Sequence, residues 1–302
     1  MSAVNENFAE IAPLALTPIA ADRIWGSTVH STYSVPAKAE DVNWGEIWLA
    51  CEDFSLNSVV SNGPFAGNAL RFFKQRWGVD FCGYLSAEQK RVLPMSLRIE
   101  RTGSEPGPVR VFSKEEFWYV LDVGVNSWVS FGTSLDDGPW PSRLSDKLNV
   151  EPGDRFLLPN GMVRAQGPNL TVLKVLQADA MVQTLYNWER KKEVWDFSPP
   201  AVDIPIEKEA LIPLKTVLEG RNRLLYQGPS YSIKLIHTNF VSEVGEKLSL
   251  VCPIKGRAHL KVSGQPDNLR LVPGQVVVLP ARLGRFSIES GTIISYILIQ
   301  IA

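Results

Sequence analysis

Two stretches of the chain, 121 residues apart, constrain its fold more than anything else: EPGDRFLLPNGMVRA (151–165) and VPGQVVVLPARLGRF (272–286). Each holds Pro-Gly, a short run rich in apolar residues, a second proline, and an arginine five residues after that proline. A tight turn, a strand and another turn is the local structure such a run encodes. The spacing is far too long for a solenoid repeat and suits a duplicated domain. Two domains are therefore expected, 1–200 and 201–302. The junction falls in the proline-rich DFSPPAVDIP (196–205), after the charged segment WERKKEVWD.

The rest of the chain has the same punctuation. Prolines and glycines separate short runs rich in β-branched and aromatic residues, most of them alternating apolar and polar as strands with one buried face do. VLPMSLRIERT (92–102), PVRVFS (108–113), EEFWYVLDV (115–123), SWVSFG (127–132), DRFLLP (154–159) and LTVLKVLQ (170–177) are the clearest strands. Helical spacing appears in GNALRFFKQRWG (67–78), an insertion in the first domain, and IEKEALIPLKTVLEGR (206–221) reads as a broken, partly helical connector. The expected class is all-β with a few helical connectors.

Charge narrows the partners. Lys and Arg total 31 against 32 acidic residues, so no net basic field draws the protein to nucleic acid or an anionic membrane. No segment approaches the apolar length of a membrane span, and the N-terminus lacks a basic stretch followed by an apolar run. Cys51, Cys82 and Cys252 are too few and too scattered for a disulfide framework. A cytoplasmic location is the expectation.

Gly153, Pro159 and Gly161 match the second cupin motif, G-x5-P-x-G-x2-H, with Arg164 at the histidine position. The likeness implies a bicupin, two jelly-roll barrels in tandem. In such a barrel the first motif supplies His-x-His and a glutamate on one strand, all turned inward to hold a divalent cation. The matching spacing here is Arg110, Val111, Phe112, then Glu116 and Gly124; an alternative register puts Arg98 and Glu100 on the first-motif strand. Arginine has no lone pair to offer, so Glu116 alone is a ligand-type residue and no metal is expected. His30, His237 and His259 do not repair the set. The expected replacement is an Arg110–Glu116–Arg164 ion cluster; in the blander alternative both arginines turn outward and Phe112 plugs the core.

Further ordered motifs resemble the type I mannose-6-phosphate isomerases in their short bacterial form. RIWGS (23–27), WGEIWLACEDFSLNSVVSNGPFAGNAL (44–70), KEEFWYVL (114–121), LPNGMVRAQG (158–167) and LYNWER (185–190) carry the likeness, which covers roughly residues 20–190. It implies zinc-dependent aldose-ketose isomerisation of a sugar phosphate. It also marks where this chain departs from the family, since Arg110, Phe112 and Arg164 stand at metal-ligand positions and Thr184 at the catalytic arginine. What remains is a basic pocket of Arg98, Arg110, Lys114 and Arg164, expected to bind a sugar or sugar phosphate without zinc or isomerase activity. An active isomerase is the alternative, with Glu116 as base, Glu100 or Glu115 as second choices, and Arg98, Arg110 or Lys114 as oxyanion stabilisers. A protein-interaction scaffold is the third reading.

Overall fold

The computed structural model describes residues 11–27, 43–52, 56–83, 92–132, 139–144, 146–188, 192–193, 222–245 and 247–302. By compactness Pro18–Ser58 and Leu93–Glu219 form one unit, and Met1–Thr17, Val59–Val92 and Gly220–Ala302 the other. The first will be called the N-terminal barrel and the second the C-terminal unit. The expected junction near 200 and the connector at 206–221 lie outside the described residues.

After β1 (Leu14–Ala15), which pairs into the C-terminal unit, the chain builds the two sheets of the N-terminal barrel. These strands are β2 (Ile19–Ser27), β3 (Trp44–Ala50), β4 (Met95–Arg101), β5 (Val109–Phe112), β6 (Glu116–Val123), β7 (Val129–Phe131), β8 (Arg155–Leu158), β9 (Val163–Gln166), β10 (Leu170–Gln177), β11 (Val182–Asn187) and β12 (Lys192–Glu193). One sheet runs β2-β3-β4-β10-β6-β8 and the other β12-β11-β5-β9-β7, with every pairing antiparallel. All six strands expected in this region form, and their ends fall within a few residues of the sequence expectation. On the five-stranded sheet Val109, Val163 and Ala165 pack on one face with Trp128 and Tyr186, which leaves Arg110, Phe112, Arg164 and Gln166 for the other.

The C-terminal unit holds β13 (Arg223–Gln227), β14 (Tyr231–Gly245), β15 (Ser249–Lys255), β16 (Ala258–Val262), β17 (Leu269–Leu271), β18 (Val277–Leu279) and β19 (Gly284–Ile301), which join β1 in an eight-stranded sheet. Its core is apolar, with Val251, Leu260, Val277, Leu279, Ile288 and Leu298 all buried. Helices α1 (Leu70–Trp77) and α2 (Val79–Cys82) group with these strands rather than with the N-terminal domain in which the sequence reading put 67–78. The amides of Ala281 and Arg282 tie them there, donating to the Phe81 and Asp80 carbonyls at 2.9 and 3.0 Å, while Phe73 packs on Phe65, Trp77 and Phe81 within the helical segment itself.

The duplicated stretch has the same local structure twice. Gly153 and Gly274 open the two copies at φ +97° and +83°, a backbone region that only glycine enters without strain, and β8 and β18 follow. The copies then diverge: Arg164 is buried, whereas Arg285 is exposed. Among the described residues no helix is long and apolar enough to cross a membrane.

Candidate functional site: a buried ion cluster in the N-terminal barrel

Strand register brings charged side chains to one face of each N-terminal sheet. On the six-stranded sheet Trp48, Arg98, Lys174, Trp118 and Phe156 lie side by side on five neighbouring strands. Two residues along, and so on the same face, stand Glu46 opposite Glu100, and Glu116 lies two residues before Trp118. On the five-stranded sheet Arg110 opposes Arg164. Each directly opposed charged pair is thus like-charged, an arrangement that costs stability unless counter-charges arrive from elsewhere.

They arrive diagonally and from the facing sheet. Glu116 is wholly buried, with one carboxylate oxygen accepting from Arg98 at 3.1 Å and the other from Arg164 at 2.8 Å and from the Trp118 indole at 2.7 Å. A single nitrogen of Arg110 reaches Glu46 at 3.1 Å and Glu100 at 3.4 Å, bridging the two opposed carboxylates. Lys174 meets Glu100 at 2.9 Å, and Arg23 closes the outer end on Glu46 at 2.7 Å. Aromatic faces complete the shell. Lys174 lies 3.9 Å from the Trp118 ring centroid, Arg164 lies 4.6 Å from that of Phe112 and Arg98 5.0 Å from that of Trp48.

Burial and charge oppose one another here, and proximity of opposite charge wins for the carboxylates. Burial alone raises the Glu46 pKa, yet the guanidiniums of Arg110, Arg98 and Arg23 bring it down to about 2. Glu116 is likewise pushed up by burial but held below its ordinary value by Arg98, Arg164 and Lys174 and by the Trp118 hydrogen bond. For Lys174 the balance reverses, since burial lowers its pKa to about 8 despite Glu100 and Glu116.

This geometry revises the expected cluster. Arg164 does pair with Glu116, but the second cation on that carboxylate is Arg98, and Arg110 serves Glu46 and Glu100 instead. Both first-strand registers face inward at once, because β4 and β5 belong to opposite sheets. Lys114 is exposed and lies outside the cluster, since the chain bends at Ser113 and Lys114 and breaks the alternation that would have carried Lys114 inward with Glu116. Thr184 sits opposite Arg110 on β11. Phe112 is a buried platform under two guanidiniums. Sequence reasoning missed Lys174, Glu46 and the two tryptophan platforms; the signal for Lys174 was one lysine inside the apolar run LTVLKVL.

A divalent cation does not suit this donor set. Arg110, Phe112 and Arg164 provide no lone pair, and both Glu116 oxygens are already taken by cations. Among the described residues no group of three or more His, Cys, Asp or Glu is placed to hold a metal ion. His237 and His259 lie on β14 and β16 of the C-terminal unit, His237 against the Ser295 hydroxyl at 2.7 Å; His30 lies outside the described residues.

Two jelly-roll units, the first with an inward-facing cluster at the cupin motif positions, define a bicupin. No family model matches the chain. In sequence it is similar to YvyI of Bacillus subtilis (strain 168), a mannose-6-phosphate isomerase by name, at 25% identity over 92% of this chain and 96% of that one. It is 28% identical to the mannose-6-phosphate isomerase ManA of the same organism over 59% of this chain and 62% of ManA. The crystal structure of the Bacillus subtilis mannose 6-phosphate isomerase superposes with a TM-score of 0.77 at 19% identity, covering 95% of this chain and 99% of that one. A point variant of the Salmonella typhimurium phosphomannose isomerase gives 0.69 at 11% identity, over 96% and 99%. In sequence and in fold the chain is similar to mannose-6-phosphate isomerases.

Proposed function

We propose that this chain is a zinc-free, non-isomerising relative of these isomerases, located in the cytoplasm, that retains affinity for a carbohydrate or sugar phosphate at the exposed end of the cluster. The enclosure of the Glu116 carboxylate by Arg98, Arg164 and Trp118 carries this reading. A carboxylate so held is a weak base, which speaks against Glu116 as the proton acceptor of a metal-independent isomerase. The interior cavity lined by Arg110, Arg164 and Lys174 has room for about one water molecule. A hexose phosphate therefore stays outside it, with its phosphate towards Arg110 and Arg23, whose side chains are 16% and 42% exposed.

Three measurements on the purified full chain test this. Elemental analysis is expected to find no stoichiometric zinc, and a coupled assay no conversion of mannose 6-phosphate with or without added zinc. Calorimetric titration is expected to give heat with mannose 6-phosphate or fructose 6-phosphate and none with neutral mannose. Chelator-sensitive turnover would remove the zinc-free part of the proposal, and silence with every sugar phosphate would remove the binding part.

A further inference from the structure

The buried cluster has more cation and more N–H donor than its carboxylates use. Arg98, Arg110, Arg164 and Lys174 face Glu46, Glu100 and Glu116, four positive charges against three negative. Arg23 adds a further cation only at the half-exposed outer end. Donors are likewise in surplus. Arg110 gives the same NH1 to both its carboxylates, so its Nε and NH2 have no acceptor among the described residues. Lys174 has three N–H groups and one carboxylate partner. The buried Nε of Arg98 has no hydrogen-bond partner either.

Three of the four cations meet at the water-sized cavity, which Arg98 does not line. Arg110, Arg164 and Lys174 line it, with the Phe112 and Trp118 rings as apolar walls. Glu100 also faces it, already held by Lys174 at 2.9 Å and Arg110 at 3.4 Å. Gln166 lines it too, its Nε2 spent on the Leu170 carbonyl at 2.8 Å and the Glu100 carbonyl at 3.4 Å, and its buried Oε1 is one acceptor without a partner against the several unspent donors. An uncompensated charge in a largely buried site is costly, and one negative charge at this point would cancel it. The cavity is too small for phosphate or sulfate, and the excess is a single charge.

We propose that the N-terminal barrel holds a small monovalent anion of the halide class between Arg110, Arg164 and Lys174. The anion accepts from the unspent N–H groups and serves as the fourth counter-charge of the cluster. The halide would lie inside the cavity and a sugar phosphate outside it at the exposed end, with Arg110 facing both.

The test follows the melting midpoint of the full chain at neutral pH while sodium chloride or bromide replaces sodium gluconate at constant ionic strength; gluconate is too bulky to enter. The expected result is a midpoint that rises with halide concentration along the logarithmic curve of single-site linkage. Lys174→Met balances the cluster at three charges of each sign, so in this variant the rise should vanish. Bromide anomalous scattering from a crystal should place one ion in the cavity. A midpoint indifferent to halide in the parent, or a rise of equal size in Lys174→Met, overturns the proposal and leaves a water in the cavity. Absence of heat from mannose 6-phosphate in gluconate, alongside a positive halide response, would remove only the sugar-phosphate reading.

Discussion

Replacing Glu116 with glutamine is expected to destabilise the protein by about 3–5 kcal/mol, because two guanidiniums then stay buried without their carboxylate. The side chains are nearly isosteric, so the loss reports charge and not a cavity. The imbalance rises from four against three to four against two, in a site where Glu116 and Arg164 are 0% and 1% exposed. Water cannot screen what it cannot reach. Urea unfolding of the full chain measures the change. Glu116→Gln combined with Arg164→Met should recover much of the loss, since removing both halves of a buried pair is far milder than removing one. Lys114→Ala, at an exposed turn, serves as the control with no change. A Glu116→Gln protein within about 0.5 kcal/mol of the parent, the range of ordinary surface substitutions, would mean that the cluster is not held together as described.

The second large effect is a stability profile shaped at both ends of the pH range. Glu46 has a pKa of about 2 when folded against 4.5 as an ordinary carboxyl, after burial is outweighed by Arg110, Arg98 and Arg23. The unfolded chain therefore takes up the proton first as pH falls. The stabilisation is complete above pH 4.5 and lost on the way down to 2, amounting to about 3 kcal/mol by linkage. Glu116 acts in the same direction.

Lys174 acts at the other end, because its folded pKa of about 8 lies below its ordinary 10.5, burial being the main cause. Between those values the unfolded chain binds more protons than the folded one, so this group makes stability rise with pH from about 8 to 10.5. Urea titrations across pH in the parent, Glu46→Gln and Lys174→Met check both limbs. The acid loss should be smaller in Glu46→Gln, and the alkaline gain should be absent in Lys174→Met. An alkaline limb unchanged by Lys174→Met would mean that Lys174 is not buried as a charged group.

Much of the fold was legible because turns and alternation are local properties. LTVLKVLQ (170–177) coincides with β10, and VLPMSLRIERT (92–102) contains β4, which starts after the bend at Pro94 and ends at Arg101. Of the site, the inward face of β5 and β9 was also legible, since period two assigns Arg110, Phe112 and Arg164 to one side once the motif glycines are placed. Lys174 was not recognised because β10 is buried along nearly its whole length and offers no polar face against which an odd residue stands out. Glu46 was absorbed into WGEIW, where the tryptophans dominate the pattern.

By itself, then, the sequence determined where the chain turns, which segments are strands, and that arginines and phenylalanine stand at the cupin-motif positions expected to carry histidines. It did not determine which carboxylate meets which cation. In each sheet the directly opposed partners carry like charge: Arg98 with Lys174, Glu46 with Glu100, Arg110 with Arg164. Only closure of the two N-terminal sheets against each other brings Arg164 to Glu116 and Arg110 to Glu46 and Glu100. Ion pairing acts through space over a few ångströms and is strong only where water is excluded, and neither that proximity nor that exclusion exists until the barrel is shut.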